Sequence, residues 1–402
     1  MPSTTSIFSC AGLIRFVTRQ RKTSLFTRTP NLAALVSVSA SPPRFSTSTM
    51  SGELVLVSGA TGYLGAWVCK KLQEKGYRVR GTVRSLKNTD KVNFLYNLTT
   101  DAKYPLELVE ADLLDVESWP RAVKDCKYVI HTASPFVVAK PKNEDELIKP
   151  AREGTLNVLR AAADAGTVEH VVVTSSIAAV MDRAPREGIY TEEDWSIPEK
   201  QEFVYEKSKT LAEKAAWDFV KELPHGKKFG LTTLQPSCIF GPLLSKNPGT
   251  SVDSIAELLE GKIPALPKLY LPCVDVRDVA EAHARAISVD GTVGKRILVN
   301  SSTEFYPEMA TWVQEEFGPQ GYKISTRQLP NAITKLGSCF STQLKEMRHI
   351  GEKSKEFSTE RLRTVLGIEP IPVKDTLITM CYSLIERGKV NKTDKYRGPP
   401  SN

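Results

Sequence analysis

The chain has 402 residues, of which 41% are hydrophobic and 25% charged, so it can bury a full core and has the composition of an ordinary soluble globular protein. Its net charge of +8 comes largely from residues 1–52, which hold six basic residues and no Asp or Glu, whereas the remainder holds 48 basic and 46 acidic residues. A basic balance confined to one end gives no indication of nucleic-acid binding.

The first 50 residues resemble a mitochondrial transit peptide in composition. They are rich in Arg, Ser and Thr and lack acids, and residues 13–19 can form a short basic amphipathic helix. We therefore expect mitochondrial import. The alternative is a disordered extension, with a cytosolic form that starts at Met50. No apolar run approaches the roughly 20 residues that a membrane-spanning helix needs, so no membrane span is expected.

The first predicted strand, 54–59, runs into a glycine-rich turn and a helical pattern at 63–75. Glycines at this place allow a tight turn and let the backbone approach a pyrophosphate at the helix N-terminus. The spacing is G-x-x-G-x-x-G rather than G-x-G-x-x-G, and a glycine triplet can also be a plain turn. Its position after an apolar strand predicts a dinucleotide site formed by Gly59, Thr61, Gly62, Tyr63, Leu64 and Gly65.

The second predicted strand, 78–83, is followed by Arg84, and Lys91 lies seven residues further on. An acid at this strand end would bind the ribose 2′-hydroxyl of NAD, whereas an arginine can bind the 2′-phosphate of NADP. An arginine at a strand end is also a common surface residue. Since no acid is present, we predict NADP(H) as the cofactor, bound through Arg84 and Lys91.

Small and polar residues follow the next three predicted strands, 106–110, 128–132 and 170–175. Carboxyl ends of parallel strands face the ligand crevice of a doubly wound sheet, so these residues are predicted to bind the cofactor. They are Asp112 and Leu113, then Thr132, Ala133 and Ser134, and finally Thr174. For Asp112 the alternative is an N-cap of a helix over 113–123.

The pair Tyr205 and Lys209 lies in the helical segment 203–222. Residues four apart share one face of a helix, so the phenol and the ammonium are expected side by side. A cation near a phenol favours the phenolate and lowers its pKa from about 10 towards the working pH. The pair therefore predicts a proton donor for a carbonyl group.

Strands alternate with helical segments near 63–75, 116–125, 151–165 and 203–222, and a further strand lies at 231–235. This alternation predicts an α/β protein with a Rossmann-type doubly wound parallel sheet. Beyond residue 240, Pro-rich loops surround a helix at 252–261, a helix and a strand return, and mostly helical material follows.

The expected organisation is an NADP-binding domain and a smaller, mainly helical substrate lobe. The domain comprises residues 51–240 and 274–303, the lobe residues 241–273 and 304–390, and a disordered tail residues 391–402. Seven cysteines without a C-x-x-C pair and five scattered histidines predict neither a metal site nor a disulfide framework.

From about residue 53 to 390 the chain resembles the extended short-chain dehydrogenase/reductases, and within them the dihydroflavonol-reductase-like branch. The residues that carry the resemblance are Gly59-Ala-Thr-Gly62-Tyr-Leu-Gly65, Thr82-Val-Arg84, His131-Thr-Ala-Ser-Pro-Phe136, Gly154-Thr-Leu-Asn157-Val-Leu159, Val173-Thr-Ser-Ser176, Tyr205-x-x-x-Lys209, Gln235-Pro-Ser237, Phe240-Gly-Pro242 and Val274-Asp-Val-Arg-Asp-Val279. The segments 175–180 and 212–217 are similar to those of NADPH-dependent methylglyoxal/carbonyl reductases of that branch.

This resemblance implies a Ser–Tyr–Lys triad. Tyr205 would give a proton to the substrate oxygen, Lys209 would hold the nicotinamide ribose and keep the phenol acidic, and Ser176 would bond the carbonyl oxygen. The resemblance also implies that Pro236 and Ser237 lie near the nicotinamide and that NADPH supplies the hydride.

Two departures from the family bear on the substrate. Met181 stands where dihydroflavonol reductases carry Asn, and 202–204 lack the Tyr/Cys/Trp signature of cinnamoyl-CoA reductases, which argues against both plant-type substrates. Phe136, Ile177, Met181 and Leu243 are expected to make an apolar pocket mouth, with core packing as their alternative role.

The leading interpretation is an NADPH-dependent reductase of small or hydrophobic aldehydes and ketones. A hydroxysteroid or sterol dehydrogenase working oxidatively would share the triad. A non-catalytic dinucleotide sensor is disfavoured by the Tyr205–Lys209 pair. The expected partner is a small-molecule carbonyl substrate, and no oligomeric state is predicted.

Overall fold

The computed structural model describes residues 52–135, 143–181, 188–201, 203–246, 250–330, 332–333 and 353–400. Its main sheet has seven parallel strands in the order β3-β2-β1-β4-β5-β6-β9. These strands are β1 Leu54–Ser58, β2 Arg78–Val83, β3 Glu107–Glu110, β4 Tyr128–His131, β5 His170–Thr174, β6 Gly230–Pro236 and β9 Arg296–Val299. The predicted Rossmann-type sheet is confirmed.

The strand order reverses between β1 and β4, which pair with each other in the register Ser58 to His131. In a doubly wound sheet this switch point opens a crevice at the carboxyl ends of the strands. The glycine turn after β1 and the residues after β4 therefore border one crevice, as the motifs predict.

Helices cover both faces of the sheet. The first helices are α1 Tyr63–Glu74, α2 Thr89–Val92, α3 Trp119–Val123, α4 Asp145–Ala165 and α5 Val204–Glu222. The later ones are α6 Thr250–Leu259, α7 Val276–Ala286, α8 Tyr306–Phe317, α9 Glu360–Thr364 and α10 Val373–Glu386. α1 packs against α7, and α4 packs against α5. Successive residues of β1 point to opposite faces of the sheet. Val55 and Val57 pack in one core cluster, whereas Leu54 and Leu56 pack in another.

Two predicted helices have different bounds. The helix expected near 151 begins at Asp145, with Pro150 inside it. The segment 116–125 is a 3₁₀ turn, Val116–Ser118, followed by the short α3. Helix α3 ends at Val123, because the φ of 63° at Asp125 is left-handed and cannot continue a right-handed helix.

A second sheet of three strands was not predicted. Its order is β10-β8-β7, with β7 Cys238–Phe240, β8 Tyr270–Asp275 and β10 Ser302–Phe305. Pro272 lies within β8, opposite Thr303, so a proline that reads as a loop residue in the sequence belongs to a strand. Helices α6, α8 and α10 share a buried cluster next to this sheet, and we call them with it the lobe.

The segment after residue 391 differs from the expected disordered tail. The Thr393 hydroxyl donates to the carbonyl oxygen of Gln320, and the Arg397 N–H donates to Oε1 of Gln320 at 3.2 Å. The rings of Tyr396 and Tyr382 lie 6.3 Å apart. These contacts attach the segment to the lobe.

Candidate active site

The glycine turn closes tightly onto the start of α1. Gly59 has a φ of +71°, and the Gly62 N–H donates to the Gly59 carbonyl oxygen at 2.9 Å. A Cβ atom on Gly65 would lie 2.3 Å from that same oxygen, and one on Gly59 would lie 3.0 Å from Cα of Ala133. Gly62 is the N-cap of α1 and has no side chain to accept a hydrogen bond from the first N–H groups of the helix. The turn therefore fits a cradle in which backbone N–H groups meet a phosphate.

Replacing Gly65 by alanine tests this turn. The added carbon would collide with backbone, so we expect a loss of stability of about 1–3 kcal/mol, the usual cost of overpacking, together with weaker NADPH binding. Gly226→Ala is the matched control, because a Cβ there meets no atom within 4 Å. Thermal unfolding and NADPH titration of both variants provide the measurement. Equal behaviour of the two variants would contradict this role of Gly65.

The other predicted residues of the turn have mixed surroundings. Thr61 is half-buried, whereas Gly62 is exposed. The Tyr63 hydroxyl donates to the Gly241 carbonyl oxygen at 2.6 Å, and Leu64 packs against the core of the main sheet. Tyr63 thus joins α1 to the chain after β7.

Hydrogen bonds join the carboxyl ends of β1 and β4. The Ser58 hydroxyl lies 2.8 Å from Nδ1 of His131 and accepts from the Ala133 N–H at 3.0 Å. The Thr132 hydroxyl donates to the Ser58 carbonyl oxygen at 2.6 Å. Burial, with the charge of Lys209, lowers the pKa of His131 to about 3, so His131 is neutral. Thr132 and Ala133 therefore border the glycine turn, and Ser134 follows them and is half-buried.

Arg84 directly follows β2, and Lys91 lies on the short helix α2. The Thr82 hydroxyl accepts from the Gly59 N–H at 3.0 Å, which joins this strand end to the glycine turn. Both cations are exposed, and neither side chain forms an ion pair or a hydrogen bond with the residues that the structure describes. Each is therefore available to bind an anion.

Asp112 holds a turn rather than a helix. Its Oδ1 accepts from the Leu114 N–H at 3.0 Å, and the residue is exposed. The N-cap of the following 3₁₀ turn is Asp115, whose side chain accepts from the Glu117 N–H at 3.2 Å. The alternative reading of Asp112 as a helix cap is therefore wrong. The carbonyl oxygen of Leu113, the other residue predicted here, accepts from Asn157 Nδ2 at 2.9 Å.

Ser176, Tyr205 and Lys209 come together beside the ends of β5 and β6. Ser176 follows β5, and its hydroxyl hydrogen-bonds the phenol of Tyr205 on α5. The ammonium of Lys209 lies 5.9 Å from the centre of the Tyr205 ring. Tyr205 is 36% exposed, whereas Lys209 is 8% exposed. Part of the Tyr205 side chain is therefore open to solvent, whereas Lys209 is enclosed.

The pKa of Tyr205 differs from the prediction. Burial of the hydroxyl raises it to about 12, although the hydrogen bond from Ser176 lowers it. Burial lowers the pKa of Lys209 to about 8, while Glu213 acts in the opposite direction. At neutral pH the phenol therefore keeps its proton and the amine keeps its charge. The predicted lowering of the phenol pKa by Lys209 is therefore wrong, because burial dominates and raises the pKa.

The residues predicted after β5 and β6 make further contacts. The Thr174 hydroxyl donates to Nε2 of His283 at 2.7 Å, since Nδ1 of His283 donates to the Val279 carbonyl oxygen at 2.7 Å. Pro236 ends β6. Ser237 is buried, and its hydroxyl has no hydrogen-bond partner among the residues that the structure describes. A buried hydroxyl without a partner is unfavourable, so Ser237 fits a contact with a bound molecule.

The four predicted pocket residues do not form one group. Phe136 lies outside the described residues. Ile177 and Met181 share a buried cluster with Leu298. Leu243 packs in the core of the lobe instead, where its N–H donates to Ser383 Oγ at 2.9 Å. Ile177 and Met181 therefore lie together just after Ser176, and Leu243 does not join them.

Glu213 and Arg296 form a buried ion pair that was not predicted. The sequence offered one indication of a role for Glu213, since it follows Lys209 by four residues and so lies on the same face of the helix.

Within the described ranges, no group of three or more His, Cys, Asp or Glu side chains could hold a metal ion. None of the described helices is long and apolar enough to cross a membrane.

Comparison with known proteins places these features in a family. The profile of the NAD dependent epimerase/dehydratase family matches residues 55–300. Cinnamoyl-CoA reductase CAD2 of Medicago truncatula is 38% identical over 63% of this chain and 77% of its own length. The bifunctional dihydroflavonol 4-reductase/flavanone 4-reductase of Malus domestica is 34% identical over 64% of this chain and 77% of its own length.

A solved structure agrees with these sequence relatives. Yeast methylglyoxal/isovaleraldehyde reductase Gre2, complexed with NADPH, superimposes with a TM-score of 0.69 and 28% identity, covering 84% of this chain and all of the yeast chain. The resemblance inferred from the motifs is thus confirmed, and the chain belongs to the NAD dependent epimerase/dehydratase family.

Proposed function

We propose that this chain is an NADPH-dependent reductase that transfers a hydride to the carbonyl group of small or hydrophobic aldehydes and ketones. The observation that carries the proposal is the hydrogen bond between Ser176 and Tyr205, with Lys209 on the next turn of the same helix. The similarity to cinnamoyl-CoA, dihydroflavonol and methylglyoxal/isovaleraldehyde reductases supports an oxidoreductase of this class.

Three features fit NADPH. The glycine turn lies at the start of α1, where backbone N–H groups can bind a pyrophosphate, and Arg84 follows β2 without an ion pair to the described residues. The buried Ser237 hydroxyl offers a hydrogen bond near the end of β6. The yeast relative is complexed with NADPH. NADPH supplies the hydride when bound, and the protein positions the carbonyl carbon for it.

The proton comes from Tyr205 in this proposal. Its raised pKa keeps the phenol protonated until negative charge develops on the carbonyl oxygen. The Ser176 hydroxyl can bond the same oxygen and stabilise that charge. Lys209 remains cationic at neutral pH and stabilises the phenolate left after proton transfer.

The apolar side chains just after Ser176 support the substrate class. Ile177 and Met181 are buried with Leu298 next to the triad. We infer that these side chains border the substrate, which favours carbonyl compounds with a hydrophobic tail.

A substrate panel with the full-length protein tests the proposal. NADPH oxidation is followed with methylglyoxal, isovaleraldehyde and larger hydrophobic ketones, and NAD(P)⁺ reduction with hydroxysteroids. We expect turnover of aldehydes with NADPH. Hydroxysteroid oxidation without aldehyde reduction would instead assign an oxidative dehydrogenase. Cofactor binding without any turnover would assign a dinucleotide sensor.

We also propose that residues 1–52 direct the protein to mitochondria. All six basic residues of this segment lie in a stretch without acids, as transit peptides require. Fusion of residues 1–52 to a fluorescent reporter is expected to give mitochondrial fluorescence, whereas the same segment with its arginines changed to Gln is expected to stay diffuse. A diffuse unmodified fusion would favour the cytosolic form that starts at Met50.

A further inference from the structure

A buried ion pair lies one helical turn beyond Lys209. Glu213 lies on the same face of α5 as Tyr205 and Lys209, and its Oε1 is 2.7 Å from Nε of Arg296, the first residue of β9. The Glu213 side chain is fully buried. Removing two charges from water is costly, and the cost is offset only where further hydrogen bonds satisfy both groups. Both groups have such further partners.

Glu213 joins α5 to two strands that end at the active site. The Ser175 hydroxyl, at the end of β5, donates to Oε2. From β6, Thr233 Oγ1 and Gln235 Nε2 donate to Oε1 at 2.8 and 2.7 Å. Because Ser175 directly precedes Ser176, its bond to Glu213 also fixes the position from which the Ser176 hydroxyl reaches the phenol.

Arg296 binds backbone carbonyl groups in two segments, the turn after Ser176 and residues 192–194. Its Nη1 donates to the carbonyl oxygens of Glu192 and Asp194 at 2.7 and 2.6 Å, and its Nη2 donates to that of Ala179 at 3.3 Å. Its guanidinium carbon lies 3.6 Å from the centre of the Trp195 ring. Ala179 ends the 3₁₀ turn that follows Ser176, so the guanidinium fixes that turn relative to β9.

We propose that Glu213 and Arg296 are positioning residues for the reduction. Glu213 keeps a negative charge one turn from Lys209 and ties Ser175 to α5. Arg296 forms an ion pair with this carboxylate and ties the turn after Ser176 to it. The proposal rests on the proposed function, since it presupposes that the triad transfers a proton.

The charges around Lys209 fix the direction of the expected effect. Tyr205 and Glu213 face it from its own helix, His131 faces it from β4 and is neutral, and Arg296 is paired with Glu213. Burial lowers the pKa of Lys209 to about 8, and Glu213 raises it. Protonated Lys209 is present below this pKa and is lost as the pH rises through it. Removing the negative charge of Glu213 therefore lowers the pKa of Lys209, so that Lys209 loses its proton at a lower pH.

The test is the pH dependence of kcat for Glu213→Gln in the full chain. Gln keeps the size and can still accept hydrogen bonds, so we expect the alkaline limb of the profile to move to lower pH by about one unit, the lower end of the effect of a nearby charge. Glu222→Gln, an exposed change at the end of α5, should keep the wild-type limb. If the alkaline limb of Glu213→Gln lies at the same pH as that of the wild type, the proposal is overturned, whatever the value of kcat.

A second variant guards against misfolding. Glu213→Gln combined with Arg296→Gln removes both buried charges and is expected to unfold less readily than either single change. Its alkaline limb should move in the same direction by a smaller amount, and an unmoved limb again overturns the proposal. Tyr205→Phe is measured in parallel. Full activity of Tyr205→Phe refutes the proposed function itself, whereas an inactive Tyr205→Phe with an unmoved Glu213→Gln limb refutes only the positioning role.

Discussion

Tyr205→Phe is expected to reduce kcat for aldehyde reduction by at least about 100-fold, the lower range of what acid–base catalysis contributes. The change removes the hydroxyl that is hydrogen-bonded to Ser176 and keeps the ring beside Lys209. The carbonyl oxygen then has no phenol to protonate it, although Ser176 can still bond it. Single-turnover measurement of NADPH oxidation gives the rate of the chemical step.

The binding of NADPH separates loss of chemistry from loss of structure. Phe keeps the ring in place and removes only the hydroxyl, so we expect the NADPH dissociation constant and the thermal midpoint of Tyr205→Phe to remain close to those of the wild type. Tyr96→Phe, an exposed phenol away from the triad, is the matched control and should keep full activity. Near wild-type turnover by Tyr205→Phe would remove the phenol from the mechanism.

The main sheet could be predicted from the sequence because its strands are short apolar runs buried on both faces. Val55 to Val57 and Val171 to Val173 are almost fully buried, and such runs leave little ambiguity between strand and loop. The glycine turn was predictable for a related reason, since Gly65 has no room for a side chain. The spacing already indicated the pair Tyr205 and Lys209, and the resemblance to the reductase family added Ser176 to it.

The lobe was harder to predict. β7 and β10 are only three and four residues long, and β8 contains Pro272, which lacks the N–H that a strand usually donates. Their pairing joins segments far apart in the chain, such as Tyr270 with Phe305, and local patterns carry no information about it. The same holds for Arg296, whose bond to Glu213 spans 83 residues.

The pKa of Tyr205 shows a different limit. The spacing to Lys209 was correct, and the ammonium does lie beside the ring. The sign of the shift depends on how much solvent the surrounding elements remove from the hydroxyl, and that depends on packing of α5 against the strand ends. Sequence spacing can therefore identify which groups interact, whereas burial decides which protonation state they favour.

Arg84→Ala is expected to weaken NADPH binding by roughly 1.5–3 kcal/mol, the scale of hydrogen bonds to charged groups. This corresponds to an increase of about 10- to 150-fold in the dissociation constant. Arg84 directly follows β2, is exposed, and has no ion pair with the described residues, so its charge is available for the 2′-phosphate. A guanidinium forms charge-assisted, often bidentate bonds with a phosphate that a ribose hydroxyl cannot match.

NADH lacks the 2′-phosphate, so its binding should hardly change in Arg84→Ala, and the preference for NADPH should narrow or vanish. Arg78→Ala is the matched control, because Arg78 is exposed at the opposite end of the same strand and far from the glycine turn. Titration of both cofactors at two salt concentrations completes the test. Added salt screens an exposed ion pair, so it should weaken NADPH binding more in the wild type than in Arg84→Ala. Equal losses for NADPH and NADH would mean that Arg84 supports the fold of this strand end and that another group, with Lys91 as the first candidate, binds the phosphate.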